Sequence, residues 1–328
     1  MGQRYEKMEF IFALTESDDY SEQILLENNV LFFNVARQDF SHSETRNRLA
    51  NLSNTDYIFF TVQDAIAKDQ YLLNKLYEIA VKYNADAISC TQVPRDDADL
   101  HAKISTWAHN KYLGLNGSTK VIRGPIPKPA RQDASLDNVC CLIKRTTFEK
   151  LGGFRGVFAE DLDFGIRVLE SGGTIVLTDE VHIVHSHNRP ELYHLKRSFV
   201  DTKNIIYHMQ FAEDDMQDKT DKLGLEKEIS YILNNKIPDF LFLANFDTKS
   251  LSLVDKLRYF KRGLSLEFYI FKIYCEYLLF SKDFKTIFEY FDYRKKLICN
   301  KLGFLLGQYV THGYNDGFVD EKFLSEGI

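Results

Sequence analysis

Short apolar runs alternate with polar, turn-prone segments over the first half of the chain. The runs at 9–14 (EFIFAL), 30–36 (VLFFNVA) and 56–61 (DYIFFT) are followed by polar residues, and short helices are predicted to end near Asn28 and Leu52. Apolar strands that alternate with helices are typical of a sheet covered on both faces. The pattern therefore predicts an α/β fold with a mostly parallel sheet flanked by helices.

The same alternation returns further along, after one irregular stretch. A helix is predicted over 69–83 and a strand over 87–91, whereas 94–135 holds most of the prolines and predicts a long loop with one helix around Trp107. A strand at 139–145, a helix over 160–171 and a strand at 174–178 complete the pattern. Long loops in compact domains are usually functional or mobile.

Beyond Pro190 the pattern becomes helical and rich in aromatic residues. Helices are predicted over 191–215, 222–234, 252–263, 266–280 and 284–305. We therefore expect two domains, an α/β domain of residues 1–195 and a helical C-terminal region of residues 196–328. A chain of 328 residues is long enough for two such cores.

Composition narrows the function classes. The net charge of −6 gives no basic surface for phosphates, so nucleic acid is not an expected partner. The five cysteines are scattered, which indicates reduced thiols in a cytoplasmic protein. No leader and no apolar run of ~20 residues is present, so neither secretion nor membrane spanning is expected.

Asp64 comes directly after an apolar strand. Its carboxylate should lie at the carboxyl edge of the sheet, where open α/β folds bind ligands. A metal that binds a diphosphate would lie at this edge. The alternative is that Asp64 only caps a following helix.

Three carboxylates, Glu160, Asp161 and Asp163, fall in the first turn of one predicted helix. The helix dipole favours negative charge there, which is a structural explanation. Three together exceed what capping needs, and a general base requires a carboxylate on a rigid element beside a cleft.

His182, His185 and His187 alternate at or beyond the last predicted strand, which would place His185 and His187 on one side. Imidazoles beside carboxylates suit Mn, whereas carboxylate and phosphate oxygens suit Mg. The alternative is that these histidines are packed or surface residues.

Several motifs, taken in order, carry a resemblance. They are QRYEKMEFIFALTESDD (3–19), DFSHSETRN (39–47), FFTVQDA (59–65), QVPRDDA (92–98), DNVCCLIKR (137–145), FAEDLDFGIRVLESG (158–172) and VHSHN (184–188). They resemble family 2 glycosyltransferases of the GT-A fold, in particular the bacterial rhamnosyltransferase-like branch. The resemblance runs from about Gln3 to Asn204.

The resemblance implies roles for individual residues. Asp64 would coordinate the metal that bridges the donor diphosphate, with His185 as a second metal ligand. Asp161 would be the general base, and Glu160 would orient the acceptor. The residues implied at the donor nucleotide, besides Asp64, are Asp19, Arg46, Asn47 and Gln63.

The resemblance also implies an inverting enzyme that uses Mg or Mn. It would move a sugar, for example rhamnose, from a dTDP- or UDP-linked donor to a bacterial surface glycan or lipid-linked glycan. The family's first strand should precede Gln3, and its absence from the sequence leads us to expect an N-terminally truncated fold. The rival function is a non-catalytic glycan-binding or scaffold subunit derived from such an enzyme.

The aromatic segment 264–280 allows two interpretations. It is either a helix buried against the catalytic domain or an interfacial helix at the inner face of the cytoplasmic membrane. The basic residues near it are Lys256, Arg258, Lys261, Arg262, Arg294, Lys295 and Lys296. Such residues attract anionic lipid, which makes peripheral membrane contact a physical alternative.

Overall fold

The structure is a computed structural model that describes residues 8–115, 117–156, 158–209, 221–243, 253–282, 285–315 and 317–327. The chain divides into two compact units. The first comprises Met1–Arg95 and Ala108–His185, and the second comprises Asp96–Trp107 and Ser186–Ile328.

The first unit is built on two sheets. The strands are β1 (Ile11–Thr15), β2 (Leu31–Val35), β3 (Tyr57–Thr61), β4 (Ile66–Ala67), β5 (Ala87–Val93), β6 (Thr119–Arg123), β7 (Cys140–Lys144) and β8 (Thr174–Val184). A six-stranded sheet has the order β3-β7-β5-β8-β4, and β6 also pairs with β8. Strands β1 and β2 pair in parallel as a separate two-stranded sheet.

The large sheet is mixed, so the prediction of a mostly parallel sheet is wrong in this respect. Only β5 and β8 are parallel within it, whereas β7 is antiparallel to both β3 and β5, and β4 and β6 are antiparallel to β8. Strand β7 is apolar and almost wholly buried, as a central parallel strand would be. The apolar pattern reports burial on both faces and carries no information about strand direction.

Helices follow or precede these strands along the chain. They are α1 (Ser21–Glu27), α2 (His42–Asn51), α3 (Leu72–Tyr83), α4 (Leu100–Leu113), α5 (Arg131–Ala134), α6 (Arg145–Lys150) and α7 (Glu160–Glu170). Helix α3 buries Leu76 and Ile79 against Ile88 of β5 and Val176 of β8. A second aromatic cluster joins β3 to α6 and α7, with Phe60 and Phe164 both in ring contact with Phe148 and Phe154.

The strand directions bring several chain segments to one edge of the sheet. Strands β3 and β5 end there, at Thr61 and Val93, and β7 begins there because it runs antiparallel to both. The end of β8 also lies at this edge, since Val93 pairs with Val184. Side chains just after β3 and β8 and just before β7 therefore lie near one another.

The second unit is helical. It contains the first part of α4, a 3-10 helix (Pro238–Leu243), α8 (Glu191–Met209), α9 (Lys222–Asn235), α10 (Leu253–Ser281), α11 (Ile287–Thr311) and α12 (Glu321–Ser325). The segments predicted separately over 252–263 and 266–280 form one continuous helix, α10. Within α10, Gly263 lets Tyr231 pack close to the helix, since a Cβ at this position would lie 2.7 Å from a ring carbon of Tyr231.

The unit boundary differs from the one expected near residue 195. The division falls after His185, and residues 96–107 join the helical unit. The reason is packing, because Leu100 and Ile104 of α4 belong to the same buried core as Leu195 and Phe199 of α8. Sequence order alone does not reveal such an exchange.

The fold class itself is confirmed: a mixed α/β domain with a central sheet flanked by helices, followed by a helical C-terminal region. Among the described strands, β1 and β2 pair only with each other, and the expected absence of the family's first strand stays an expectation.

All five cysteines are free thiols. None of the helices in the described ranges has the length and apolar character needed to cross a membrane.

Candidate active site

Asp64 and His185 meet at the shared sheet edge. The Nε2 atom of His185 lies 3.6 Å from Oδ1 of Asp64, and both side chains are partly buried. Strand β4 produces this approach, because Ile66 pairs with Val184 directly before His185. Since β4, and not a helix, follows Asp64, the helix-cap alternative for Asp64 is wrong.

Gln92 fixes the orientation of the His185 ring. Its Nε2 amide group donates to Oδ2 of Asp137, which as a carboxylate only accepts, so Oε1 faces the ring. The distance from Oε1 to Nδ1 of His185 is 2.8 Å. Nδ1 therefore donates to Oε1, and in the neutral imidazole this leaves the lone pair on Nε2, the atom that faces Asp64.

This arrangement fits a divalent cation. An imidazole lone pair 3.6 Å from a carboxylate oxygen is unfavourable unless a proton or a cation lies between them. An outer hydrogen bond to Nδ1 is the usual support of a metal-binding histidine. Carboxylate oxygen with imidazole nitrogen suits Mn, and the carboxylate also suits Mg.

The three histidines do not act as one alternating group. Strand β8 ends at Val184, so His185 and His187 lie beyond it, but they still lie on one side: one ligand atom from each, with one from Asp64, all lie within 4.8 Å of one another. His182 lies inside β8, where Nδ1 is 2.8 Å from the Thr91 hydroxyl and 3.4 Å from Asp179. Burial lowers the pKa of His182, which is consistent with a packed residue.

Asp161 lies in the first turn of α7 and faces the start of β7. Its carboxylate accepts the backbone N–H of Leu162 at 2.8 Å and that of Asn138 at 3.2 Å. Burial, reinforced by the negative charges of Glu160 and Asp137, raises the pKa of Asp161 to about 7. A carboxylate with this pKa can take up a proton at neutral pH, as a general base must.

Glu160, next to it, is held differently. It is buried, forms an ion pair with Arg46, and accepts a hydrogen bond from Nδ2 of Asn138 at 3.1 Å. Oδ1 of Asn138 is buried without a partner in the described parts of the chain. This atom is therefore free to accept a hydrogen bond from a ligand hydroxyl.

The backbone before α7 is strained. Ala159 has a left-handed φ of 51° although it is not glycine. Such conformations are costly and are retained most often at functional sites. The third acidic residue of this turn, Asp163, forms an ion pair with Arg167 at 2.7 Å, which is a structural role.

Asn47 is engaged by the backbone of the loop before α7. Its Nδ2 donates to the Phe154 carbonyl at 2.9 Å, and its Oδ1 accepts the Phe154 N–H at 2.8 Å. Gly153 permits this contact, because a Cβ there would lie 2.5 Å from Oδ1. Asn47 thus positions this loop, and its implied place at the nucleotide stays a prediction.

Asp19 and Gln63 are both exposed. Asp19 accepts hydrogen bonds from the Ser17 hydroxyl at 2.7 Å and the Ser21 N–H at 2.9 Å, beside the start of α1. Bonds from Ser21 and Ser17 lower the pKa of Asp19, which stays ionised. Gln63 is adjacent to Asp64 in the chain. Their implied roles in donor binding also stay predictions.

The two parts of the site are joined by residues that the sequence reasoning missed. Asp137 accepts from Gln92, and the next residue, Asn138, contacts both Glu160 and Asp161. A continuous polar chain therefore runs from His185 to the start of α7. The available signal was the polar pair Asp137-Asn138 directly before the apolar strand β7.

Comparison with known proteins places these features in context. No family model matches the chain. Over 175 residues it is 27% identical to the O-antigen chain rhamnosyltransferase WbaN of Salmonella anatum, covering 52% of this chain and 54% of that protein. Over 181 residues it is 29% identical to the O-antigen chain rhamnosyltransferase RfbN of Salmonella typhimurium, with the same two coverages. The chain thus spans about half the length of these curated relatives.

One solved structure is similar along most of the chain. The mannosyltransferase PcManGT from Pyrobaculum calidifontis, in complex with GDP-Man and Mn²⁺, has a TM-score of 0.52 and 15% identity, covering 93% of this chain and 80% of that one. This similarity concerns the fold alone. The resemblance to bacterial rhamnosyltransferase-like glycosyltransferases is confirmed by the sequence relatives.

Proposed function

We propose that this protein is an inverting glycosyltransferase that moves a sugar from a nucleotide-sugar donor to a bacterial surface glycan. The proposal rests on the environment of the Asp161 carboxylate. Its pKa of about 7 lets it act as a base at neutral pH, and a polar chain joins it to the Asp64–His185 pair. A base and a cation site at one sheet edge suit transfer from a diphosphate donor, because the base activates the acceptor and a cation offsets charge on the leaving diphosphate.

The chemical step follows from these positions. Asp161 removes the proton from an acceptor hydroxyl while that oxygen forms a bond to the anomeric carbon. The bond from the anomeric carbon to the diphosphate oxygen breaks on the opposite side, and the nucleoside diphosphate leaves with the electron pair. Attack opposite the leaving group inverts the anomeric centre, and Asp161 later releases its proton to solvent.

The remaining residues hold the reactants. Asp64 and His185 would bind Mg or Mn, whose charge offsets the charge that develops on the leaving diphosphate. The unpartnered Oδ1 of Asn138 accepts from an acceptor hydroxyl, and the Arg46–Glu160 pair keeps Asn138 in place. In this way Glu160 orients the acceptor through Asn138.

The donor and acceptor classes rest on the relatives. Two of them are named O-antigen chain rhamnosyltransferases, which supports rhamnose as the sugar and a surface glycan as the acceptor. The proposed donor is dTDP- or UDP-linked, and the proposed acceptor is a glycan or a lipid-linked glycan. We also propose that the enzyme works in the cytoplasm, beside the inner face of the cytoplasmic membrane, where a lipid-linked acceptor would be reached.

The test is product formation from a panel of dTDP-, UDP- and GDP-sugars with Mn or Mg and a lipid-linked glycan acceptor, followed by mass analysis. We expect one donor to add a single sugar, chelator to abolish the reaction, and Asp64→Ala to weaken metal-dependent donor binding in calorimetry. Binding of the glycan without turnover of any donor would instead identify a non-catalytic glycan-binding subunit.

A further inference from the structure

Helix α10 exposes a long apolar surface, which we call its outer face. Its members, all more than half exposed, are Leu253, Val254, Leu257, Phe260, Leu264, Phe268, Phe271 and Leu279. They recur at helical spacing over the whole length of the helix. The opposite side, with Ile270 and Tyr277, packs into the core of the helical unit. Phe268 is 70% exposed and Leu279 81%, values far from those of a helix buried on all sides.

The charges on α10 are sorted by sign. Its exposed charged residues are all basic: Lys256, Arg258, Lys261 and Lys272. Among them, Lys256, Arg258 and Lys261 have no ion pair with any residue that the structure describes. Its three acidic residues are only partly exposed and have basic partners. Asp255 pairs with Lys227 at 2.8 Å, and Glu267 pairs with Lys236 at 2.8 Å and also with Arg294.

The more C-terminal basic residues considered from the sequence are engaged within the helical unit. Arg262 pairs with Glu228, Lys295 lies 2.8 Å from Glu191, and the buried Lys296 lies 2.8 Å from Asp99. The cluster Arg294-Lys295-Lys296 therefore has acidic partners within the helical unit. The available positive charge lies on the first half of α10.

The outer face of α10 combines apolar side chains with unpaired positive charge, and this combination indicates what kind of partner binds to it. A second copy of the chain would present the same basic residues and, on this face, no exposed acid to pair with them, so self-association would oppose like charges. A bilayer that contains anionic phospholipid satisfies both features, because acyl chains accept the apolar residues and headgroups attract the lysines and arginine.

We propose that the outer face of α10 docks on an anionic phospholipid bilayer, with the helix lying in the plane of the interface. This inference goes beyond glycosyl transfer and is tested by binding alone. Its failure would leave the proposed activity standing.

The experiment is co-sedimentation of the full chain with phosphatidylcholine vesicles, with and without phosphatidylglycerol, at low and high salt. The charge variant is Lys256→Gln/Arg258→Gln/Lys261→Gln, and its matched control removes three exposed lysines elsewhere, Lys82→Gln/Lys150→Gln/Lys322→Gln. The apolar variant is Leu257→Ser/Leu264→Ser/Phe268→Ser, and its control is Leu52→Ser/Val81→Ser/Tyr112→Ser. Thermal unfolding followed by circular dichroism checks that each variant folds.

We expect binding to phosphatidylglycerol vesicles that high salt weakens. Each basic residue removed from α10 should weaken binding about five-fold, or on the order of 100-fold for the triple variant. The apolar variant should lose binding, whereas both controls should retain it.

A single substitution provides a test that does not depend on the triple variants folding. Brominated phosphatidylglycerol should quench the tryptophan fluorescence of Phe268→Trp more strongly than that of the unchanged protein, whose tryptophan is Trp107. No vesicle binding at low salt, or equal binding by all variants, would overturn the inference. So would sedimentation showing a dimer that the apolar variant dissociates while vesicles remain unbound, since a second copy would then cover the face.

Discussion

At the scale of single residues, the ionisation of Asp161 links stability to the proposed chemistry. Burial and two neighbouring acids raise its pKa to about 7 in the folded protein, while the unfolded chain has the ordinary, lower value. The folded state thus binds the proton more tightly. The stabilisation from this group is fully present below about pH 4 and is lost as pH rises towards 7.

This linkage predicts that Asp161→Asn raises stability where the carboxylate is ionised. At pH 8 the variant should unfold at a higher urea concentration than the unchanged protein. Its free energy of unfolding should be greater by at most about 1.4 kcal/mol for each unit by which the pKa is raised. The difference should shrink as pH falls from 7 to 4. Urea unfolding across this range measures it, and a difference independent of pH would show that the carboxylate is not strained by burial.

Gln92 is the residue through which the His185 ring is oriented. Gln92→Leu keeps similar bulk but removes the bonds to His185 and Asp137. Loss of such a supporting bond typically weakens metal binding about 10- to 100-fold. Calorimetric titration with Mn measures the change, and the exposed Gln38→Leu is the control. Unchanged Mn affinity would argue against the Asp64–His185 pair as the cation site.

At the scale of secondary-structure elements, α8 and α11 approach closely through two glycines. A Cβ on Gly303 would lie 2.1 Å from the Leu195 carbonyl oxygen, and one on Gly307 would lie 2.8 Å from Cβ of Thr202. Backbone cannot move aside as a flexible side chain can. A larger residue at either position therefore forces the two helices apart and lowers stability.

Gly303→Ala should therefore destabilise the helical unit by about 1–3 kcal/mol, the usual cost of overpacking. Lys301→Ala, on the same helix, should change stability much less because its side chain is partly exposed and its contact with Glu228 is 3.8 Å long. Thermal unfolding compares the two. Equal stability of Gly303→Ala and the unchanged protein would show that the helices are further apart than the structure has them.

Element positions could be read from the sequence, but strand directions and pairings could not. The runs at 56–61 and 139–145 match β3 and β7, yet nothing in their composition shows that they are antiparallel. Similarly, the two helices predicted over 252–263 and 266–280 are one continuous helix in the structure. These features depend on contacts distant in sequence, which local patterns do not encode.

At the scale of the whole molecule, the sequence indicated the carboxylates and His185 but not what surrounds them. Asp64, Asp161 and His185 stand in motifs beside predicted elements, so they were found. Asp137 and Asn138 become relevant only because an antiparallel β7 begins at the edge where β3 ends. Likewise, the charge sorting on α10 depends on partners contributed by other helices.

The central claim is that Asp161 is the base that accepts the acceptor's proton. The most direct test measures sugar transfer and donor binding by Asp161→Asn, because asparagine keeps the shape but cannot take a proton. We expect transfer to fall on the order of 100-fold or more, while calorimetry shows nearly unchanged affinity for donor with Mn. Transfer at the normal rate, or a loss of donor affinity equal to the loss of rate, would contradict the assignment.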